Sequence, residues 1–288
     1  MRILITIAHC FKPEKNSLYD SQRRDPQPRL AALSQSLAAL HQLFSKSQTI
    51  ININQRLAVP VNNPLANDLD IVICTTQNYH LLENLPIPTH FYQHYPTQVE
   101  PMLLGFECQA VLRDGLGKYD YYCFLEDDLI IHDPWFFVKL YWFTKEAGDR
   151  CLLQPNRYEL STDGLSYKVY IDGDLAPKAT AQYQNISNRS ELKSKIMGVP
   201  MVFRRTLNPH SGCYFLNANQ MNYWSSQRNF LDRDTDFVGP LESAATLGIM
   251  KNFLIYKSIP QQANFLEIQH YGTKFLSMIG KQVDLKIQ

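Results

Sequence analysis

Apolar and polar positions fall into two regimes along the chain. In the first half, short unbroken apolar runs alternate with helical periodicity. Arg2–Ala8 is continuous and apolar, as expected of a strand buried on both faces of a parallel sheet. Phe11–Gln27 carries charges and prolines and predicts a loop. From Pro28 to Phe44, Leu30, Leu33, Leu37, Leu40 and Phe44 recur at the spacing of an amphipathic helix. Gln48–Ile53 and Asp70–Thr75 predict strands, the second followed by a polar turn at Thr76, Gln77 and Asn78, and Thr89–Tyr95 is a further strand candidate. Met102–Leu116 predicts a helix stopped by Gly115 and Gly117, and Tyr121–Leu125 a buried strand. His132-Asp133-Pro134 predicts a helix start, with Asp133 as N-cap and Pro134 at the first helical position. That helix runs to Ala147 and stops at Gly148.

The second half is more polar and less periodic. Leu165–Ile171 predicts a strand entering a hairpin at Asp172-Gly173-Asp174. Ala176–Lys195 predicts a mobile polar excursion. Gly212–Leu216 and Phe253–Ser258 predict strands, Asn217–Arg228 and Pro240–Met250 helices. Alternating strands and helices argue for an α/β fold with a mostly parallel, Rossmann-like sheet, followed by a mixed C-terminal part. No repeat or linker divides the chain, so residues 1–288 are expected to form one domain, with halves at 1–148 and 149–288.

Composition narrows the class. Hydrophobic residues make up 45% of the chain and charged residues only 19%, which excludes an intrinsically disordered protein. Lys and Arg (28) nearly cancel Asp and Glu (27), which argues against a dedicated nucleic-acid binder. Six cysteines without a Cys-x-x-Cys pair argue against a zinc ribbon and for a reduced, cytoplasmic chain. The opening run MRILITIAHCF is read as a core strand rather than a signal peptide. The aromatic stripe Trp135, Phe136, Phe137, Tyr141, Trp142 and Phe143 predicts a core-packing helix; peripheral membrane contact is the weaker reading, because Lys and Arg are scarce there.

The chemistry concentrates at the end of one strand. Tyr121–Leu125 runs into Glu126-Asp127-Asp128, three adjacent carboxylates that repel one another unless a cation or donors compensate them. Ligands of open α/β sheets bind at the carboxyl ends of strands. Residues two apart on an extended chain share a side, which pairs Glu126 with Asp128. Such oxygen ligands suit Mg²⁺ or Mn²⁺. Glycine is scarce (12 residues), and neither a phosphate-binding P-loop nor a Gly-x-Gly-x-x-Gly turn occurs, so carboxylate-held metal is the better cradle for a phosphorylated ligand.

A strand ending in an acidic triplet, preceded by an Arg-bearing helix and followed by Leu129-Ile130-Ile131-His132-Asp133-Pro134-Trp135, resembles nucleotide-sugar-dependent glycosyltransferases of the GT-A fold, whose Asp-x-Asp motif has Glu-Asp-Asp variants. The resemblance is clearest over Met102–Phe143. It implies a metal-dependent transferase with Asp128, helped by Glu126, on Mn²⁺ or Mg²⁺, and with Glu126 and Asp127 near the donor. By the same resemblance, Glu242 at a helix start is the base of an inverting reaction, with Asp236 and Asp234 as fallbacks. His270 would be another metal ligand. His210 and Ser211 would line the sugar pocket, His9, Thr75 and Thr76 would lie near the nucleotide base, and Arg113 would reach the donor phosphates or sugar. The implied partners are a UDP- or GDP-sugar donor and a glycan or small-molecule acceptor; a retaining route stays open if Glu242 is not the base. Two other classes use the same residues: a metal-dependent phosphoesterase or nucleotidyltransferase, and a non-catalytic nucleotide- or sugar-binding scaffold.

Overall fold

The computed structural model describes residues 1–13, 24–63 and 67–286. Part of the loop expected at Phe11–Gln27 therefore lies outside the described residues. The fold is α/β with mixed sheets. Its centre is β1 (Arg2–Ala8), flanked in parallel by β4 (Asp68–Thr76) and β6 (Tyr121–Glu126). β5 (Gln93–Thr97) extends the sheet in parallel beyond β4. β13 (Cys213–Asn217), from the second half of the chain, closes the other edge antiparallel to β6. The order is β13-β6-β1-β4-β5, so this sheet is mixed rather than wholly parallel.

Side-chain alternation explains the two cores. Ile3, Ile5 and Ile7 pack on one side with Leu33, Leu37, Leu40 and Phe44 of α1 (Gln27–Phe44) and Phe136, Phe137, Leu140 and Phe143 of α3 (Phe136–Ala147). Leu4 packs on the other with Leu104, Cys108 and Leu112 of α2 (Leu104–Asp114), in the cluster that includes Leu247 and Ile249 of α5 (Pro240–Asn252). The aromatic stripe is therefore mostly core, although Trp135 and Tyr141 are exposed. Among the described residues, no helix is long and apolar enough to cross a membrane.

The second half departs from expectation. Asp172-Gly173-Asp174 is not a hairpin turn. β10 (Lys168–Tyr170) pairs backwards with β9 (Asn156–Leu160), and the buried Asp172 side chain is an ion-pair partner. Nor is Ala176–Lys195 wholly irregular: β11 (Glu191–Ile196) forms a hairpin with β12 (Val199–Arg205), which continues to β14 (Leu254–Ser258) and β8 (Cys151–Leu153). The polar residues of β11 face solvent on a sheet edge, which hides the strand from a hydrophobicity reading. A further sheet, β10-β9-β15-β7, joins β15 (Glu267–His270) to β7 (Leu129–Ile130), the strand immediately after the acidic triplet. β2 (Thr49–Asn52) and β3 (Leu57–Pro60) form a separate hairpin. Asp133 does act at the start of α3, but two residues ahead of the cap: its carboxylate accepts from Trp135 N–H at 2.8 Å, and Trp135 takes the N-cap position. The capping box of α4 (Ala218–Ser225) is complete, with Asn217 and Gln220 exchanging hydrogen bonds.

Close packing of α5 on Trp224 depends on Gly248. A Cβ built there would stand 2.6 Å from the fully buried indole. Alanine would gain about 1 kcal/mol of helix propensity. The buried ring has no room to move, so overpacking of about 1–3 kcal/mol outweighs that gain. Gly248→Ala is expected to lower the melting temperature in a thermal denaturation scan.

Candidate functional site

The site forms where β1 and β6 end. Their parallel register sets Ala8 opposite Glu126, so the acidic triplet emerges at the carboxyl edge of the sheet. A cavity of about 250 Å³ opens there, lined by Glu126, Asp127, Asp128, His210, Glu242 and His270, together with the cations Arg29, Arg157 and Lys274. Six of the sequence-predicted residues thus meet around one space.

The three carboxylates are compensated in three different ways. Asp127 is buried, and protein groups engage both its oxygens. Leu81 N–H donates to His9 Nε2 at 3.1 Å, which leaves the proton on Nδ1, and Nδ1 donates to Asp127 at 2.5 Å. Arg29 Nη1 holds the other oxygen at 2.5 Å. Asp128 accepts from the same Arg29 nitrogen at 3.0 Å through Oδ2, whereas its Oδ1 is buried without a hydrogen-bond partner. Burial alone would raise the Asp128 carboxyl; the charges of His270, Arg29 and Arg157 outweigh it and keep the group below its ordinary pKa. Glu126 takes the opposite course. Burial, then the neighbouring Asp128 charge, push its carboxyl up to about 7. Its Oε2 is 3.9 Å from Arg157. It also leans on Gly212, where a Cβ would lie 2.5 Å from that same oxygen and the φ of +62° already favours glycine.

His270 arrives by strand register. β15 pairs with β7 so that His270 faces Leu129, and Tyr271 N–H donates to Asp128 O at 2.8 Å. Its Nδ1 bonds the buried Glu159 at 2.9 Å, and its Nε2 lies 3.7 Å from Asp128 Oδ2. Burial would lower the imidazole, but Asp128 and Glu159 overcome it and raise its pKa. A carboxylate behind a histidine is the arrangement that orients a metal-binding ring. Among the described residues, no three His, Cys, Asp or Glu side chains gather to hold a metal unaided. The donor set instead suits a hard divalent cation held by one or two carboxylates and completed by ligand phosphates. The orphan Asp128 oxygen is the position that fits it.

Glu242 and Thr246, one turn apart on α5, face the same side. Thr246 Oγ1 bonds His210 Nδ1 at 2.8 Å, and the Glu242 carboxylate folds back beside Gly239. Burial, then Arg157, hold His210 well below its ordinary pKa, so its ring is neutral at pH 7. Cys10 also lines the cavity; burial, then Asp127, push its thiol up to about 11, which favours the protonated form at neutral pH.

Other predicted residues lie outside this cavity. His9 is buried behind Asp127. Thr75 Oγ1 shares a hydrogen bond with His94 Nε2 at 2.7 Å, and Thr76 donates to Val99 O. Ser211 donates to Pro155 O at 2.8 Å. Arg113 is on α2, paired with Asp114. Asp236 is exposed, with its N–H on Asp234, and Asp234 is engaged by Lys251. Sequence reasoning missed Arg29, Arg157, Glu159 and Lys274. Arg157 and Glu159 alternate with Tyr158 on β9, and a charged residue at every second strand position was the available signal.

Behind Arg157 lies a buried ion cluster. Arg157 Nη2 is 2.8 Å from Asp172, and Lys257 Nζ is 3.0 Å from the same carboxylate. Burial would raise the Asp172 carboxyl; Arg157 and Lys257 outweigh it and hold it well below the ordinary range. A depressed acid stabilises the fold above its unfolded pKa near 4, and that contribution fades as pH falls through the folded value. Asp172→Asn leaves two buried cations under-compensated and is expected to cost about 3–5 kcal/mol at pH 7. In urea titrations its deficit against wild type should shrink below about pH 4.

Comparison with protein-family models and with curated proteins finds no match for this chain.

Proposed function

We propose that this chain is a metal-dependent glycosyltransferase of GT-A type, taking a sugar from a nucleoside-diphosphate sugar to a glycan or small-molecule acceptor with inversion. The observation that carries the reading is the buried, unpartnered Asp128 Oδ1, at the carboxyl edge of parallel strands and in the same cavity as Glu242. Four parallel strands with one antiparallel edge strand are compatible with a GT-A-like sheet. Six cysteines without a disulfide support a cytoplasmic setting.

In this reading Asp128 and His270 would hold Mn²⁺ or Mg²⁺, with Glu126 as a further oxygen ligand. The bound cation supplies charge stabilisation to the departing nucleoside diphosphate. Lys274 and Arg157 add fixed positive charge to the cavity wall. Glu242 accepts the proton of the acceptor hydroxyl. Neutral His210, fixed by Thr246, orients a sugar hydroxyl. Asp127 acts indirectly, as the anchor that His9 and Arg29 hold in place.

The test is a thermal-shift series with UDP, GDP, CDP and CMP, each with Mn²⁺, Mg²⁺ or EDTA. A ligand at a hundred times its Kd adds about 2.7 kcal/mol, roughly 5 °C or more for a chain of this size. Stabilisation by one nucleotide only with metal, lost in Asp128→Ala, is the expected outcome. No shift with any nucleotide overturns the reading. Glu242→Gln should keep that shift yet reduce transfer from the matching nucleotide sugar by about 10²-fold or more; unchanged transfer removes Glu242 as the base.

A further inference from the structure

Arg29 enters the reading above only as a partner of Asp127, yet it sits at the centre of the acidic triplet. It is the third residue of α1, with a largely buried side chain. One guanidinium nitrogen spans Asp127 Oδ1 at 2.5 Å and Asp128 Oδ2 at 3.0 Å. His9 already holds the other Asp127 oxygen, whereas the other Asp128 oxygen is buried and unpartnered. A divalent cation approaching Asp128 therefore meets a positive charge seated on the same carboxylate. In a partly buried site, solvent and salt screen that repulsion poorly. At the start of α1 the Asp25 carboxylate accepts from Gln27 N–H at 3.0 Å, so the repulsion rests on the Arg29 charge itself. Arg29, Asp128 and Lys274 also form the wall shared by the main cavity and a second one of about 240 Å³, which Asp25, Thr273 and Ser277 line. Arg29 thus lines both cavities.

Resting on the metal-dependent reading of this cleft, we infer that Arg29 is an internal counter-cation for the carboxylate pair. It occupies Asp128 in the ligand-free protein and disfavours a divalent cation arriving alone. When a nucleoside diphosphate enters with the cation, Arg29 transfers its charge from Asp128 to the phosphates, whose oxygens match the guanidinium fork. Arg29 is then a positioning residue that makes binding of cation and nucleotide cooperative. The coupling is reciprocal, so each ligand tightens the other by the same factor.

Mn²⁺ titrations of the full chain, read by the electron paramagnetic resonance signal of free Mn²⁺, test this. They are run with and without the nucleoside diphosphate that stabilises the wild type, on wild type, Arg29→Gln and Arg29→Lys. In the wild type the nucleotide should tighten Mn²⁺ at least about fivefold. Arg29→Gln should bind Mn²⁺ alone on the order of tenfold tighter than wild type, with most of the nucleotide coupling lost. Arg29→Lys keeps the charge and should keep the weak binding of Mn²⁺ alone. Should Arg29→Gln not fold, Arg29→Met keeps an apolar stem, removes only the positive charge and carries the same expectation. A neutral variant at Arg29 that binds Mn²⁺ alone no tighter than wild type overturns the inference and leaves the parent reading standing. A wild type that takes up no nucleotide with metal defeats both.

Discussion

Three carboxylates in a row at the end of a buried strand are the constraint around which this protein is arranged. Left alone, Glu126, Asp127 and Asp128 would repel one another in a medium that screens poorly. The fold answers each one separately. His9 and Arg29 saturate Asp127. Arg29, His270 and Arg157 keep Asp128 ionised. Burial, with the Asp128 charge beside it, pushes the Glu126 carboxyl up to about 7. The outcome is one ionised carboxylate with a spare oxygen, beside one that ionises readily when a cation arrives.

Much of the second half of the chain is explained by that need. β15 pairs with β7 and so delivers His270, while β9 beside it delivers Arg157 and Glu159 on one side of the strand. Each of these groups needs its own counter-charge once buried. Glu159 is satisfied by His270 and by Leu276 N–H at 2.7 Å. Arg157 is held by Asp172, which Lys257 also engages. Lys257 in turn donates to His210 O at 2.8 Å. A chain of ion pairs and hydrogen bonds therefore runs from the acidic triplet through Arg157, Asp172 and Lys257 to His210, whose ring bonds Thr246 on the helix that carries Glu242, and it holds the cavity's polar groups in position.

Such preorganisation is what electrostatic catalysis requires, because groups already oriented need no rearrangement when charge develops. It also accounts for Gly212. A side chain there would collide with Glu126, and the positive φ gives a second reason for glycine. The proposed role of Arg29 belongs to the same logic: an empty anionic site needs a cation of its own, and that cation must have somewhere to go when the ligand enters.

The central sheet and its helices were legible in the sequence, because burial on both faces writes unbroken apolar runs such as Arg2–Ala8 and Tyr121–Leu125. Leu30, Leu33, Leu37, Leu40 and Phe44 likewise wrote α1 as a periodic stripe. The acidic triplet was legible as well, since three adjacent carboxylates after such a strand need compensation in any fold. Asp172 was misread as a turn residue, because Asp-Gly-Asp carries turn chemistry locally, and only the approach of Arg157 and Lys257 makes it a buried counter-ion. β9, β11 and β15 escaped notice because charged and polar residues interrupt them, and their stability comes from pairing with distant strands. Nothing in the local sequence singled out Arg29, Arg157, Glu159 or Lys274. Local sequence carries hydrophobic period and local charge, so it determined the frame and the carboxylates. Which cation meets which carboxylate depends on strand register and on chain crossings between residues as distant as Arg29 and Asp127 or Lys257 and Asp172, and only the tertiary structure decided that.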